Sequence, residues 1–448
     1  MKVFEPKLFT TLKNYNLKQF VSDVIAGIIV AIIALPLSIA LAIASGVSPE
    51  KGLYTAIIAG FVIAVFGGSK VNISGPTAAF AVIVAGIAIE KGLEGLAIAT
   101  LMAGLILIIM GVCRLGSLIK YVPKTITVGF TGGVAVTILI GQIKDFLGLQ
   151  YPEGTHNIEA IEKITAVVNN IGTFNVLALI VGVISLAILI AWPYVSKKIP
   201  GSLIVVLISA VVFAIFDINV FTIGDLYQIS SALPTFSFPN LNLNTVISLI
   251  PDAITIAVLA GIESLLSCVV SDGMIGDKHN SNTELIAQGL GNICSGLFGG
   301  IPATGAIART SANVRNGGRT PISGIVHAIV LLLVLVVLMP YAALIPMPVI
   351  ASILIIVAYN MSEWRGFVKI FKTKNVVDIF ILMLTFVLTV VFDLVVAIAV
   401  GLSVHYVIVL IEHFTNKNKE TITLTDDEII EKPEMISLEN EVAISNED

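Results

Sequence analysis

Hydrophobicity in this chain falls in repeated blocks of roughly 17 to 25 residues, the length an α-helix needs to cross about 30 Å of hydrocarbon. Nothing else in the sequence constrains the fold as tightly. Inside a bilayer every backbone N–H and C=O needs an internal partner, so a chain with such blocks crosses as helices. Alternating porin-like strands are excluded. Composition agrees: 56% of the 448 residues are hydrophobic and 12% are charged, about half the charged share of a soluble domain, with a mean hydropathy of +1.00. The expected fold is an all-α polytopic membrane protein, with the lipid bilayer as its surroundings. The net charge of −5 is modest, and no nucleic-acid partner is expected.

Apolar blocks between charged or Pro/Gly breaks give about fourteen candidate spans, several too short to cross alone. They fall near 24–45, 53–67, 76–89, 93–113, 126–141, 174–194, 202–216, 254–270, 285–298, 303–311, 322–338, 349–359, 376–391 and 394–411. Cytoplasmic loops accumulate Lys and Arg. With the N-terminus inside, the inner loops hold Arg114, Lys120 and Lys124; Lys197 and Lys198; Lys278; Arg315 and Arg319; and Arg365, Lys369, Lys372 and Lys374. The outer stretches 218–250 and 340–348 hold neither residue type, while 144–170 balances Lys144 and Lys163 against several acids. Both termini are therefore expected in the cytoplasm, and the chain in the inner (plasma) membrane. Lys7, Lys13 and Lys18 precede a first block about a full span long with no A-x-A site after it, so that block is expected to remain as a helix.

Two segments begin at a break and are too brief to span: Ser74-Gly75-Pro76-Thr77-Ala78-Ala79-Phe80, and Pro302-Ala303-Thr304-Gly305-Ala306-Ile307-Ala308-Arg309-Thr310. Each falls third in a set of seven spans. An odd number of spans per repeat inverts the second copy, giving the 7+7 inverted repeat of many secondary transporters, and broken helices at matching places mark a binding site. A half-helix that starts in mid-membrane leaves its first N–H groups unpaired and its positive dipole end exposed. Two such ends facing each other make an anion site without a charged side chain. Thr77, Ala78 and Ala79 on one side, and Gly305, Ala306, Ile307 and Ala308 on the other, are small enough for an anion to reach the backbone. The alternative is that Gly and Pro here only permit close helix packing.

Arg309 follows the second break in an apolar context, where an unpaired guanidinium is costly. It either helps to hold the anion or snorkels to the interface from the end of a short helix. Glu263, with Ser264 beside it, lies in the apolar run 257–270, where desolvation favours the protonated form and suits proton coupling. A permanent pair with Arg309 and a Na⁺ ligand are the alternatives. His327 is read as an interhelical hydrogen-bonding residue. His156, His279, His405 and His413 are read as loop or interface residues, and Asp378 and Asp393 as interfacial or packing residues. Cys113, Cys268 and Cys294 have no metal-ligand spacing and are read as buried small hydrophobes. There is no GxxxxGK[ST] motif for ATP-driven pumping and no arguable catalytic grouping. The chain is not read as an enzyme, and it needs no cofactor beyond a coupling ion, H⁺ or Na⁺.

Asp23-Val24-Ile25-Ala26-Gly27 with Pro36, Gly52-Leu53-Tyr54, Ser74-Gly75-Pro76-Thr77, Glu284-Leu285 with Gln288-Gly289-Leu290-Gly291-Asn292, and residues 304–313 together resemble the SulP anion permeases, bacterial relatives of the SLC26 transporters. The resemblance covers nearly all of 21–412. It implies a core domain of the first four and the eighth to eleventh spans moving against a gate domain of the rest, with the anion between the third and tenth helices, and a homodimeric assembly. The expected organisation is a cytoplasmic N-terminus at 1–20, the transporter domain at 21–412 and a short cytoplasmic tail at 413–448. The sequence looks most similar to the C4-dicarboxylate branch, through residues 74–80, Gly261-Ile262-Glu263-Ser264-Leu265-Leu266 and Asp272-Gly273-Met274 with Lys278-His279. In the family's Na⁺/bicarbonate members an aspartate commonly takes the place of Glu263, so glutamate here favours protons.

The sequence departs from the family pattern in two places. Leu37 follows Pro36 where many members have glutamine, which removes an amide contact to the anion. The acidic tail after Glu412 is too short for the cytoplasmic STAS domain that relatives carry. The expected function is secondary active anion transport, by proton-coupled uptake of a C4-dicarboxylate or sulfate. A Na⁺-coupled bicarbonate symporter, a channel-like anion conductor and a non-transporting scaffold are the competing readings.

Overall fold

In the computed structural model, the described residues are 4–117, 123–152, 155, 159–196, 199–216, 218–392 and 394–414. Most of them are helical. A short α1 (Lys7–Thr11) precedes α2 (Leu17–Ala44), α3 (Pro49–Phe66), α4 (Ala81–Val112), α5 (Lys124–Leu147) and α6 (Ala160–Asn169). The middle of the chain carries α7 (Val176–Val195), α8 (Gly201–Ile215), α9 (Ile223–Leu226), α10 (Leu243–Ser248) and α11 (Ile250–Ile275). There follow α12 (Ser281–Leu297), α13 (Ile307–Arg315), α14 (Ile322–Leu338), α15 (Met347–Met361), α16 (Trp364–Lys372), α17 (Val376–Val391) and α18 (Leu394–Phe414). Two strands of two residues, β1 (Ser74–Gly75) and β2 (Thr304–Gly305), interrupt the helical path.

Eight described stretches are long and apolar enough to cross a membrane, and three shorter apolar helices accompany them. The fold is an all-helical, multi-pass membrane protein. Each apolar block of the sequence coincides with a helix, and the third and fourth share α4. That helix is two helices joined at Gly92, whose φ of 69° and ψ of −179° turn the chain. No atom lies within 4 Å of where a Cβ would stand there, so glycine is required by the backbone angle alone.

The helices pack in two groups. In one, α2, α3, α4, α11, α12, α13 and α14 pack on each other; in the other, α5 anchors α15 and α17, with α7, α8 and α18 around them. This is the core and gate division that the resemblance implies. A close seam lies within the first group, where the Gly104 and Gly289 backbones of α4 and α12 approach so closely that a Cβ on either would collide with the carbonyl of the other. In lipid, where no hydrophobic force separates helix from solvent, such close van der Waals contact is a main source of helix association.

Three local readings are corrected. The 365–374 stretch, read as an inner loop, contains α16, whose Phe367 and Ile370 pack on Val128 and Leu382. Its charges recur every three or four residues, which destroys the apolar window but leaves one apolar face. Cys113, read as buried, is exposed at the end of α4, whereas Cys268 is buried and Cys294 half-buried. His405, read as a loop or interface residue, is buried within α18. Lys120, Lys197, Lys198, His156, Asp393 and the tail from 415 onward lie outside the described residues.

Candidate anion site

β1 and β2 are the two breaks found in the sequence, and they meet. They pair antiparallel, with Ser74 opposite Gly305 and Gly75 opposite Thr304, and the Ala306 N–H extends the ladder by donating to the Ile73 carbonyl at 2.9 Å. An antiparallel pair of repeat-related segments is what an inverted repeat produces at its centre. Pairing also removes the main cost of non-helical backbone at this depth, because each strand satisfies the polar groups of the other.

Each strand gives way to a helix. The chain after β1 makes one tight turn, Ala78–Phe80, and runs on as α4; the chain after β2 enters α13 at Ile307. Neither start has a side-chain cap, so its first N–H groups and the positive dipole end are available to an anion. Thr77, Ala306 and Ile307 are half-buried, Ala308 is exposed, and Ala78, Ala79 and Gly305 are buried. The structure therefore gathers all seven backbone positions singled out by the sequence around one strand pair. A cleft of about 230 Å³ between α4, α5 and α17 reaches this place at Ala79, continues past Val82, Thr137 and Thr389, and includes Glu90 and Glu159 on its walls.

Thr77 occupies the capping position of the first helix start, yet its hydroxyl donates to Glu263 Oε2 of α11 at 2.9 Å. A half-buried carboxylate thus stands beside the proposed anion position. Ser264, grouped with Glu263 in the sequence, is separated from it. It is fully buried and donates to Glu284 Oε1 at 3.1 Å, because consecutive residues on a helix point about 100° apart.

Arg309 does not snorkel: it is 1% exposed, and its Nη2 donates to the Pro76 carbonyl at 2.6 Å. Nor does it form an ion pair with Glu263 among the described residues. The guanidinium lies behind the strand pair and ties one break to the other. His327 is fully buried, but neither ring nitrogen has a hydrogen-bond partner among the described residues, so the interhelical bond expected of it is absent.

Sequence reading missed the frame that holds the breaks in place. Glu284 of α12 is fully buried and accepts from Gly68 N (2.9 Å), Ser69 N (3.2 Å), Asn72 Nδ2 (2.7 Å), Ser264 Oγ (3.1 Å) and Gln288 Nε2 (3.0 Å). Asn72 Oδ1 in turn accepts from Ser267 and Thr310, and Asn313 donates to the Val71 carbonyl. These bonds fix the non-helical 68–73 segment that leads into β1. A signal was present: Glu284, Gln288 and Asn292 recur at four-residue spacing, one polar stripe on an otherwise small and apolar helix.

The match to known proteins follows the same ground. The model of the sulfate permease family aligns with residues 20–385, most of the chain. The chain belongs to the sulfate permease family. It is 49% identical over 397 residues to the putative sulfate transporter YvdB of Bacillus subtilis, covering 88% of this chain and 74% of that one. It is 35% identical over 416 residues to the bicarbonate transporter BicA of a Picosynechococcus strain, covering 90% of this chain and 72% of the relative. The solved transmembrane domain of a cyanobacterial BicA superposes with a TM-score of 0.77 at 32% identity, over 86% of this chain and 98% of that domain. The murine Slc26a9 anion transporter in an inward-facing state shares the fold, with a TM-score of 0.82 at 18% identity over 91% of this chain and 71% of the other. Family membership and the multi-pass membrane fold thus rest on sequence and structure together, and this protein is an anion transporter of that family.

Proposed function

We propose that this protein imports a small divalent anion, sulfate or a C4-dicarboxylate, together with protons, by rocking of its two helix groups around the paired breaks. The observation that carries the reading is the 2.9 Å hydrogen bond from Thr77 to Glu263. It puts a titratable carboxylate within reach of the helix start that would receive the anion. Two negative charges a few ångströms apart in a weakly screened site repel strongly. A proton on Glu263 removes that repulsion, so anion and proton favour each other's binding, which is what symport requires. The anion itself would lie against the two helix starts, at Thr77, Ala78 and Ala79 and at Gly305, Ala306, Ile307 and Ala308, with the Ile307 and Ala308 N–H groups as donors on the second side because that of Ala306 is given to the Ile73 carbonyl, and with Arg309 adding positive potential from behind.

A second reading is favoured by the two relatives named as bicarbonate transporters. In it Glu263 ligates Na⁺, and bicarbonate occupies the same backbone site. Further parts of the proposal are a location in the inner (plasma) membrane with both termini cytoplasmic, a transporter domain spanning 21–412, and a homodimer. Uptake into proteoliposomes decides between the couplings. Sulfate, succinate, fumarate and bicarbonate are compared under an imposed proton gradient and an imposed Na⁺ gradient. Accumulation of sulfate or a dicarboxylate driven by the proton gradient alone is the expected result. Accumulation driven only by Na⁺, with bicarbonate as substrate, would establish the second reading.

A further inference from the structure

A cavity of about 540 Å³ opens among the segments that begin the chain and follow α3, α11 and α13, and it shares no lining residue with the anion site. Its walls come from regions far apart in sequence. The N-terminal segment brings Lys7 and Tyr15, the turn after α3 brings Lys70, and the loops after α11 and α13 bring Lys278 and Arg319. The N-terminal wall is firmly placed. The Lys7 N–H donates to the Gly67 carbonyl at 2.9 Å, the Glu5 N–H donates to Thr283 Oγ1 at 2.9 Å, and the Phe4 ring stacks on Phe66.

The charge on these walls is mostly positive and partly uncompensated. Lys70 is paired with Asp277 at 2.8 Å, and His279 with Asp272 at 2.7 Å. Asp23, behind the wall, accepts from Tyr15, Gln19 and Thr320. Glu5 is the one carboxylate among the lining residues. Lys7, Lys278 and Arg319 form no ion pair among the described residues, although Arg319 Nη1 donates to the Val314 and Gly318 carbonyls at 2.7 and 2.8 Å. Burial pushes the Asp277 carboxyl up, but the Lys70 hydrogen bond and the Lys278 backbone N–H, with Lys7 nearby, outweigh it and hold it below its ordinary value.

We infer that this cavity is a second anion site, for a phosphate-bearing ligand, separate from the transport path. Its volume suits a small molecule, which occupies pockets of about 300–1,000 Å³. Several ammonium groups and a guanidinium converging on one space match the many acceptor oxygens of a phosphate. A ligand there touches the N-terminal segment and both inner loops of the first helix group at once, and so fastens them together.

Inorganic pyrophosphate, titrated calorimetrically into the full-length protein in detergent at fixed salt, is expected to bind saturably. The Lys7→Gln/Lys278→Gln double variant, checked for folding by circular dichroism, should bind at least about ten-fold more weakly. The charge-conserving Lys278→Arg should retain most of the affinity. A second arm compares nanodiscs of phosphatidylcholine with nanodiscs containing phosphatidylglycerol. Thermal stabilisation by phosphatidylglycerol that the double variant loses assigns the phosphate to a lipid headgroup, whereas pyrophosphate binding without that effect assigns it to a soluble ligand. The inference is overturned by no saturable effect in either arm, or by equal binding in the double variant. It is overturned equally by loss of pyrophosphate binding in folded Ala306→Leu, which would place the probe in the transport site.

Discussion

Glu263 is the residue on which the proposed coupling turns, because it meets Thr77 at the start of a half-helix rather than a cation. Glu263→Gln keeps the size of the side chain and an oxygen for the Thr77 hydroxyl, but it can no longer exchange a proton. Accumulation driven by a pH gradient should fall by at least about ten-fold, while exchange of anion for anion persists, since binding no longer waits on protonation. Ala306→Leu should have the opposite profile. It fills space at the second helix start and reduces binding and exchange together. Radiolabelled uptake and counterflow in proteoliposomes separate the two. Wild-type accumulation in Glu263→Gln would remove the coupling role. Arg309 was legible in the sequence as a costly buried charge but not as a tie between the breaks, because its bond to the Pro76 carbonyl spans more than two hundred residues.

At the scale of elements, the strand pair and its frame act as one unit. Glu284 accepts five hydrogen bonds with no cation among their donors. Glu284→Gln replaces an acceptor oxygen by an NH₂ group that points at donors. A buried mismatch of this kind costs about 1–3 kcal/mol. We expect a lower melting temperature in detergent and weaker anion binding, since the 68–73 segment positions β1. Glu284→Asp should not rescue either property, because its shorter side chain cannot reach all five donors. Unchanged melting in Glu284→Gln would mean that the frame does not hold the breaks. The sequence exposed the elements that are continuous and apolar, such as α14 and α17, almost to the residue. It concealed α16, because the amphipathic pattern of nine residues carries basic side chains on one face and core contacts on the other.

For the whole molecule, transport by two helix groups requires that the cleft between α4, α5 and α17 change its width. Cysteines at Val82 and Thr389, on opposite walls of that cleft, introduced after replacing Cys113, Cys268 and Cys294 with serine, offer a tether. Cross-linking with a short bismaleimide should reduce uptake to the level of empty vesicles, and reduction-insensitive tethering should leave labelled anion binding detectable. Full uptake after complete cross-linking would show that the two groups do not move against each other there.

The apolar blocks by themselves determined that this chain is a bundle of membrane helices, because backbone in lipid has so few ways to satisfy its polar groups. The Gly and Pro breaks located both half-helices, and their matching positions forecast an inverted pair. Those signals are local: they need only a few neighbouring residues and the solvent that surrounds them. Which groups face the breaks was decided by the tertiary structure. Thr77 with Glu263, Pro76 with Arg309 and Asn72 with Glu284 each join the first repeat to the second. The same holds for Ser264, which the helix turns away from its neighbour Glu263 and into the Glu284 frame. A side chain's partner across such a distance depends on how two inverted halves pack, and no spacing along the chain encodes that.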